Sequence, residues 1–496
     1  MPSKISKTQY MMGLQCPKRL WLYRNRRDLL LPPPPATQRI FDEGKAVDEL
    51  ARKLFPGGVL VGHPPALLHL AVRETAELVK EGPLFIFEGA FAAGQAQVRC
   101  DVLERNYDDT WDLTEVKSSS ETHAAHVADA AMQRWTLEAC GLKLNKVWLM
   151  HLDPGYVRQG PLDPAKLFKK DDITAATRRL LPEVERNIPD FARAAAAPEM
   201  PERPIGRHCG EPYDCEFRHF CWKNLPDYSI YDIPRLTWEK KNHLRLLGAL
   251  KFTDVPDDFD LSPAQRLYLR VERSGEPAVD RKKINAFLKG LRYPLYYIDF
   301  ETLQPGLPLY DNSRPYQQIP FQMSLHVQEV PGGPLAHHEY LGDPAGDPRP
   351  GLIAALKKLI GRAGTLVAYN SGFEAARIKE LARDFPNNRS LLNLTERFAD
   401  LLEPFQKQYY VHPAFKGHCS IKTVLPALVP GMTYEGMAVS NGAAAQSAYD
   451  ALVRNRLPPA EAKKVRADLL AYCGQDTLAM VEIMKKLYAE ASDWRA

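Results

Sequence analysis

The sequence predicts an α/β protein of two domains. Two strand-like runs, Gln97–Arg105 and Trp111–Lys117, precede a helical stretch and another strand, and a second strand-rich region opens at Tyr293–Glu301. Strands that alternate with helices are typical of α/β architecture, and a length of 496 residues permits two to four domains. The predicted parts are a first domain at residues 1–223, a helical connector at 224–291 and a second domain at 292–496.

The composition is that of a globular protein outside the membrane. Hydrophobic residues make up 45% and charged residues 25% of the chain, and the net charge of +4 permits a nucleic-acid partner without requiring one. No run approaches the roughly 20 apolar residues that a membrane-spanning helix needs, and the first residues lack the apolar core of a signal peptide. We therefore expect no membrane contact and a cytoplasmic location, where cysteines stay reduced.

In the first domain, apolar spacing and turn residues mark the elements. Val47, Leu50 and Leu54 recur at helical spacing, Asp163 is an expected N-cap before a proline, and the polar run Asn106–Thr110 is an expected hairpin turn. The predicted helices are Lys7–Asp28, Phe41–Phe55, Leu67–Lys80, Thr122–Cys140 and Pro164–Phe191. The predicted strands are Leu84–Phe91, Gln97–Arg105, Trp111–Lys117 and Lys146–Leu152.

In the remainder of the chain, the clearest pattern is one long amphipathic helix at Ala460–Glu490. The other predicted helices are Trp238–Leu250, Ser262–Glu272, Lys282–Leu291, Leu352–Ile360 and Gly372–Phe385. The predicted strands are Tyr293–Glu301, Pro320–Val330 and Thr365–Tyr369.

The first candidate site lies at the end of the strand Trp111–Lys117. Side chains alternate along a strand, so Glu115 and Lys117 point the same way, and a hairpin brings Asp101 close to them. Two carboxylates can hold Mg²⁺, which activates a water, and the lysine can orient that water or offset transition-state charge. Exposed strand carboxylates and lysines are common, so these three residues alone favour a solvated hairpin face.

The surroundings of this strand resemble a known family. With Cys16-Pro-Lys-Arg upstream, Gly44 and Asp48-Glu49 in the next helix and three cysteines downstream, residues 4–222 resemble the PD-(D/E)xK nuclease superfamily. More narrowly, they are similar to RecB-like exonucleases associated with CRISPR systems and to AddB-type nuclease domains. The resemblance implies a restriction-endonuclease-like fold. The implied site consists of Asp101 and Glu115 as metal ligands, Lys117 as the catalytic lysine and Gln133 as the helix residue that completes it.

This chain departs from that family at two positions. Asp48 stands where the family often has a histidine, and Leu137 stands where a tyrosine often follows Gln133. Either Asp48 or the adjacent Glu49 can still serve the metal.

Three cysteines fall within thirteen residues of a chain that has only eight. Cys209, Cys215 and Cys221 at this density indicate zinc or an iron–sulfur cluster, and Cys16 is the natural candidate for a fourth ligand. The nuclease relatives have one such cysteine before the core and three after it, which implies a [4Fe–4S] cluster here, although their first pair is more closely spaced. Zn²⁺, or buried cysteines without metal, are the alternatives.

The second candidate site is a set of four acidic residues. Asp299 and Glu301 lie at i and i+2 of a strand, Glu374 follows the next buried strand, and Asp476 lies one helical turn after Tyr472. Four converging carboxylates describe a two-metal site for phosphodiester hydrolysis, in which Tyr472 can orient the attacking water. The alternative for Tyr472 and Asp476 is an ordinary amphipathic helix.

Residues 293–496 resemble DnaQ-like 3′–5′ exonucleases of the ribonuclease H fold, in the tyrosine-containing subclass. The resemblance implies that Asp299, Glu301, Glu374 and Asp476 are metal ligands. Glu374 is a departure, because aspartate is usual at that position.

The whole chain resembles a bacterial family that joins these two nuclease-type domains. The function we expect is a nuclease dependent on Mg²⁺ or Mn²⁺ that acts on DNA, either single-stranded or from ends. One alternative is an RNA-processing exonuclease. Another is a scaffold protein with one or both sites inactive. It would bind nucleic acid through the basic residues between Arg24 and Arg27.

Overall fold

The computed structural model describes residues 4–33 and 35–492 and has a mixed α/β architecture. The chain forms two compact units. The first unit comprises Met1–Asn224 and Pro305–Tyr316, and the second comprises Leu225–Gln304 and Gln317–Ala496. This division differs from the sequence prediction in two places: the predicted connector clusters with the second unit, and a short segment of the predicted second domain clusters with the first.

The first unit is built on a seven-stranded mixed sheet. The strands are β1 (Ile5–Ser6), β2 (Val59–Leu60), β3 (Phe85–Ala93), β4 (Ala96–Arg105), β5 (Trp111–Lys117), β6 (Leu144–Leu152) and β7 (Phe168–Asp172). The main path of the sheet runs β2-β3-β4-β5-β6-β7, and β1 pairs with β4. The β1–β4, β2–β3 and β5–β6 pairs are parallel, and the other pairs are antiparallel.

Helices cover this sheet, and α5 packs on β3, β4 and β6. The helices are α1 (Lys7–Gln15), α2 (Pro17–Asn25), α3 (Pro35–Ala51), α4 (Leu68–Glu81), α5 (Ala124–Ala139), α6 (Pro164–Leu167), α7 (Thr174–Ala196) and α8 (Arg218–Cys221). Short 3₁₀ turns lie at Arg27–Leu29, Arg52–Leu54, Pro65–Leu67 and Arg207–Cys209.

Two predicted helices of this unit were wrong in part. The predicted helix Lys7–Asp28 is broken at Cys16, whose extended backbone (φ −164°, ψ 117°) reflects the clash that a following proline imposes on a helical residue. The predicted helix Pro164–Phe191 is interrupted by β7, an edge strand that pairs only with β6 and is exposed over most of its length. The predicted N-cap is confirmed, because the Asp163 side chain accepts a hydrogen bond from the amide of Ala165.

The second unit is built on a five-stranded sheet in the order β11-β10-β9-β12-β13. In this sheet the β11–β10 and β10–β9 pairs are antiparallel, and the β9–β12 and β12–β13 pairs are parallel. The strands are β8 (Ala278–Val279), β9 (Leu295–Leu303), β10 (Ile319–Gln328), β11 (Leu335–Leu341), β12 (Thr365–Ala368), β13 (Phe398–Asp400) and β14 (Tyr410–Val411), of which β8 and β14 form a separate ribbon.

The longest helix of the second unit, α18, packs against β9 and β10. The helices are α9 (Trp238–Leu246), α10 (Pro263–Ser274), α11 (Arg281–Lys289), α12 (Arg349–Leu359), α13 (Gly372–Asp384), α14 (Leu392–Thr395), α15 (Glu403–Gln406), α16 (Ile421–Leu428), α17 (Gly442–Val453) and α18 (Pro459–Ser492). Short 3₁₀ turns lie at Phe252–Asp254, Pro386–Leu391 and Pro413–Phe415. Across the described residues, no helix combines the length and the apolar character that crossing a membrane requires.

Candidate functional site

The first site lies where β4 and β5 separate. Their antiparallel pairing runs from Arg105 opposite Trp111 to Val102 opposite Thr114. One residue beyond this pairing, the Asp101 side chain replaces the backbone as the hydrogen-bond acceptor. Its Oδ2 accepts a hydrogen bond of 2.7 Å from the backbone amide of Val116. The hairpin therefore places Asp101 beside the end of β5, as its turn signal predicted.

Glu115 is the buried centre of this site. Its side chain is about 1% exposed, and both of its oxygens are engaged. Lys117 Nζ lies 2.6 Å and Lys7 Nζ 2.7 Å from Oε1, and Gln133 Nε2 donates to Oε2 over 2.8 Å. A solvated hairpin face is thereby excluded, because Glu115 is enclosed by charged and polar partners.

Two residues of this site, Lys7 and Asp129, were missed by the sequence analysis. Asp129 Oδ2 accepts a 2.8 Å hydrogen bond from Lys117 and lies 3.8 Å from Lys7. Asp129 precedes Gln133 by one turn of α5, so both side chains face the strand ends. This spacing could have predicted Asp129 as a further residue of the site. Lys7 is the first residue of α1, which begins with a capping box between Ser6 and Gln9. Its partner Glu115 on β5 lies 108 residues further along the sequence, so no local pattern predicts this contact.

The charges of the first site determine its protonation. Burial would raise the pKa of Glu115, but Lys117 and Lys7 outweigh it and hold that pKa below its usual range. At Asp101, burial and the neighbouring Glu115 outweigh the opposite effects of Lys7 and Lys117 and raise the pKa. Burial, Glu88 and Glu115 raise the pKa of Asp48 to about 7, which places Asp48 within electrostatic reach of the site.

The first site also contains buried polar atoms without hydrogen bonds among the described residues. They are Asp129 Oδ1 and Gln133 Oε1. Buried oxygens of this kind normally find a partner, and an ion or a water is one that supplies it.

The four predicted cysteines line one small cavity, defined here as the cysteine cavity: Cys16, Cys209, Cys215 and Cys221. All four are free thiols, and Cys16 lies at the break between α1 and α2. Burial raises the pKa of Cys215 to about 11 and also raises that of Cys221. The predicted quartet is thus brought to one place from positions about 200 residues apart in the sequence.

Polar contacts hold the two sequence segments of the cysteine cavity together. Gln15 Nε2 donates to the carbonyls of His208 (2.7 Å) and Tyr213 (2.6 Å), and the Arg19 guanidinium lies 2.8 Å from Glu216. These bonds flank Cys16 on both sides, so the position of Cys16 relative to the other three cysteines is fixed by partly buried hydrogen bonds.

The second site lies at the carboxyl ends of β9 and β12. These strands are parallel, so their carboxyl ends meet at one edge of the sheet. Asp299 is the middle residue of β9 and Glu301 lies two residues further on, and Glu374 is in the first turn of α13, which follows β12. Helix α18 packs against β9 and β10 and brings Asp476 to the same place.

Three of the four predicted acids converge closely. Ligand oxygens of Asp299, Glu301 and Asp476 all lie within 4.8 Å of one another, the only group of three metal-ligating side chains this close in the described chain. Glu374 lies outside that group, but its charge contributes to the raised pKa of Asp299 and of Glu301. Its Oε2 is buried and has no hydrogen bond within the part of the chain that is described.

Burial and mutual repulsion together disfavour ionisation of these carboxyl groups. Burial is the largest cause, followed by Asp476, in raising the pKa of Asp299 well above its usual value and that of Glu301 to about 8. Burial also raises the pKa of Glu374 to about 8 and that of Asp476 to about 6.

Lys422 and Tyr434 also belong to the second site. Tyr434 Oη donates a 2.6 Å hydrogen bond to Asp476 Oδ1, and Lys422 Nζ donates a 3.1 Å bond to Tyr472 Oη. The sequence analysis predicted neither residue as part of this site. No local pattern links either residue to α18, which lies 42 to 50 residues further along the chain.

The raised pKa of Glu374 predicts an unusual pH dependence of stability in the absence of divalent metal. A carboxyl whose folded pKa of about 8 exceeds the ordinary value of 4.5 binds more protons in the folded state, so its contribution to stability falls as pH rises between those values. We expect the melting temperature of Glu374→Gln in EDTA to exceed that of wild type by an amount that grows from pH 5.5 to pH 8. Thermal melts would measure it, with Glu339→Gln at an exposed position as the control. A pH-independent difference would contradict the prediction.

Comparison with known proteins gives one family match. The family described as a domain of unknown function, DUF2779, matches residues 296–420. The matched region is a quarter of the chain and includes Asp299, Glu301 and Glu374.

Two bacterial relatives and one solved structure are similar to parts of the chain. "Uncharacterized protein UU173" of Ureaplasma parvum serovar 3 is 26% identical over 297 residues, 54% of this chain and 42% of that protein. The "Uncharacterized protein MG366 homolog" of Mycoplasma pneumoniae is 26% identical over 254 residues, 48% of this chain and 38% of that protein. The chain thus matches about two-fifths of the length of these relatives. The crystal structure of SSO0001 aligns with 45% of this chain and 88% of its own at 16% identity, with a TM-score of 0.20 that supports no structural inference.

Proposed function

We propose that this chain is a metal-dependent nuclease that hydrolyses phosphodiester bonds of DNA, with one nuclease-type site in each unit. The convergence of Asp299, Glu301 and Asp476 within 4.8 Å carries the proposal. Three carboxylates at this distance repel one another unless protons or cations lie between them, and oxygen ligands are those that Mg²⁺ and Mn²⁺ prefer.

The residues of the second site fit divalent cations. Asp299, Glu301 and Asp476 would hold them, with Glu374 beside them and its buried Oε2 in need of a partner. When bound, such ions polarise the scissile phosphate and lower the pKa of the attacking water. Burial, reinforced by Asp476, keeps the pKa of Tyr472 far above neutral, so its phenol remains protonated and can orient a water. The position of the acidic pair on the central strand β9 supports assignment to DnaQ-like exonucleases of the ribonuclease H fold.

The first site supports assignment of its unit to the PD-(D/E)xK nucleases. Asp101 and Glu115 would hold Mg²⁺ or Mn²⁺, Lys117 would offset transition-state charge, and Gln133 would orient Glu115. Lys7 and Lys117 both lie against Glu115 Oε1. A cation at that oxygen therefore requires at least one of the two ammonium groups to move away, because like charges repel.

We propose that the cysteine cavity holds a [4Fe–4S] cluster, with Zn²⁺ as the alternative. A tetrahedral zinc ion with bonds of about 2.3 Å draws its four sulfurs to roughly 4 Å from one another. Within the described chain, no three of these thiols lie within 4.8 Å of one another. A cluster tolerates wider spacing, because each cysteine binds a different iron.

Protein purified without oxygen is therefore expected to be brown, with broad visible absorbance from iron–sulfur bonding. Cys209→Ser should lose most of the colour because it removes one of four ligands. Cys140→Ser is the matched control, since that thiol is exposed and does not line the cavity. Iron and zinc analysis accompanies the spectra. Colourless wild-type protein with stoichiometric zinc would contradict the cluster.

The substrate is tested by competition. End-labelled single-stranded DNA and RNA of one sequence are incubated together with wild-type protein and Mn²⁺, and the loss of each is followed. We expect DNA to be degraded faster. Preferential loss of RNA would replace the proposal with the RNA-processing alternative. Salt-sensitive binding without degradation of either would replace it with the scaffold alternative.

A further inference from the structure

Two side chains outside the predicted acidic set converge on Asp476 and Tyr472. Tyr434 precedes α17 and is 6% exposed, and Lys422 is in the first turn of α16. Tyr434 Oη bonds Asp476 Oδ1 over 2.6 Å, and Lys422 Nζ bonds Tyr472 Oη over 3.1 Å. These residues connect three separate segments of the second unit at one carboxylate.

The chemistry of the groups fixes the direction of each hydrogen bond. An ammonium only donates, so Tyr472 Oη accepts from Lys422 and keeps its own O–H as a donor. The Asp476 carboxylate only accepts when ionised, so Tyr434 must donate to it. Asp476 therefore accepts a phenol hydrogen bond from Tyr434, while Lys422 holds Tyr472, which lies one helical turn before Asp476 on α18.

Lys422 is itself held in place. Its Nζ donates to the carbonyl of Ser440 over 2.5 Å and lies 5.0 Å from the ring centre of Tyr472 and 5.3 Å from that of Tyr434. A cation at this distance from an aromatic face is attracted to it. One ammonium group thus contacts both Tyr472 and Tyr434, the phenol that bonds to Asp476.

We propose that Lys422 and Tyr434 are positioning residues of the second site, which fix the orientation of the Asp476 carboxylate for a divalent cation. This inference rests on the proposed metal site at Asp299, Glu301 and Asp476. Partners that orient a metal-binding carboxylate typically affect metal affinity or activity by about 10- to 100-fold.

The test is a calorimetric titration of the full chain with Mn²⁺. Binding at the second site is defined as the part of the Mn²⁺ binding that is lost in the Asp299→Ala variant. Tyr434→Phe removes one hydroxyl and no ring volume, and Lys422→Ala removes the ammonium. We expect each to weaken that component by about 10- to 100-fold. Lys422→Arg retains a donor and should weaken it less than Lys422→Ala does. Tyr340→Phe is the matched control, because its hydroxyl bonds the carbonyl of Pro348 elsewhere in the unit.

The outcomes separate this inference from the proposed function. If wild type binds Mn²⁺ through Asp299 and both Tyr434→Phe and Lys422→Ala bind it equally well, the positioning role is overturned and the metal site stands. If wild type shows no Asp299-dependent binding, the metal site and the positioning role both fail. Thermal melts of every variant distinguish loss of metal affinity from loss of folding, and a lower melting temperature with unchanged affinity also overturns the positioning role.

Discussion

Replacing Asp299 with asparagine is expected to lower the release of mononucleotides from end-labelled single-stranded DNA by at least about a thousandfold. The change removes one of three carboxylates that converge within 4.8 Å, and metal stabilisation of the transition state is worth several kcal/mol, at about 1.4 kcal/mol per tenfold in rate. The measurement is product release in the presence of Mn²⁺, resolved by length on a denaturing gel.

The same substitution should leave the fold intact. Burial and the neighbouring acids raise the pKa of Asp299, so a neutral side chain of the same shape suits the site without metal. We expect the melting temperature in EDTA to stay the same or rise. Mononucleotide release within tenfold of wild type by a folded Asp299→Asn protein would remove Asp299 from the active site.

Replacing Lys117 with methionine is expected to disable the first site and to destabilise its unit by about 3 kcal/mol. Lys117 contacts two buried carboxylates, Glu115 at 2.6 Å and Asp129 at 2.8 Å, and removing one partner from a buried ion pair typically costs 3–5 kcal/mol. Lys7 remains on Glu115, so the cost should lie at the low end of that range. Chemical denaturation measures the stability, and residual cleavage by Asp299→Asn protein, with and without Lys117→Met, measures the activity.

Lys146→Met provides the matched control for this change. Lys146 pairs with Asp172 at 2.6 Å on the neighbouring strands, but both side chains are about 40% exposed, and exposed pairs contribute about 1 kcal/mol or less. If Lys117→Met and Lys146→Met had equal effects on stability and cleavage, the buried cluster around Glu115 would have no special role.

Local patterns predicted most of the second unit. The apolar stripe along α18 and the alternation on β9 depend only on residues within a few positions, so the sequence contains all the information they need. The acidic pair Asp299 and Glu301 follows from strand alternation, and the spacing of Tyr472 and Asp476 follows from one helical turn. Lys422 and Tyr434 have no such relation to α18, and only the fold brings them there.

Non-local pairing limited the prediction of the first unit. The segment Pro305–Tyr316 follows β9 in the sequence yet belongs to the first unit, and no local sequence pattern predicts this assignment. Strand β7 reads FKKDD, without apolar alternation, and it forms because β6 offers a free edge. Lys7 reaches Glu115 for a similar reason, since pairing of β1 with β4 at Ala96 and Gln97 delivers the start of α1 to the end of β5.

The most direct test is cleavage of end-labelled single-stranded DNA by four proteins: wild type, Lys117→Met, Asp299→Asn and the double variant. Each is assayed in Mn²⁺ and in EDTA. Two metal-dependent sites predict that wild type cleaves only with metal, that each single variant loses a different part of the product pattern, and that the double variant is inactive. Undiminished cleavage by a folded double variant, or no cleavage by wild type in any divalent metal, would contradict the account.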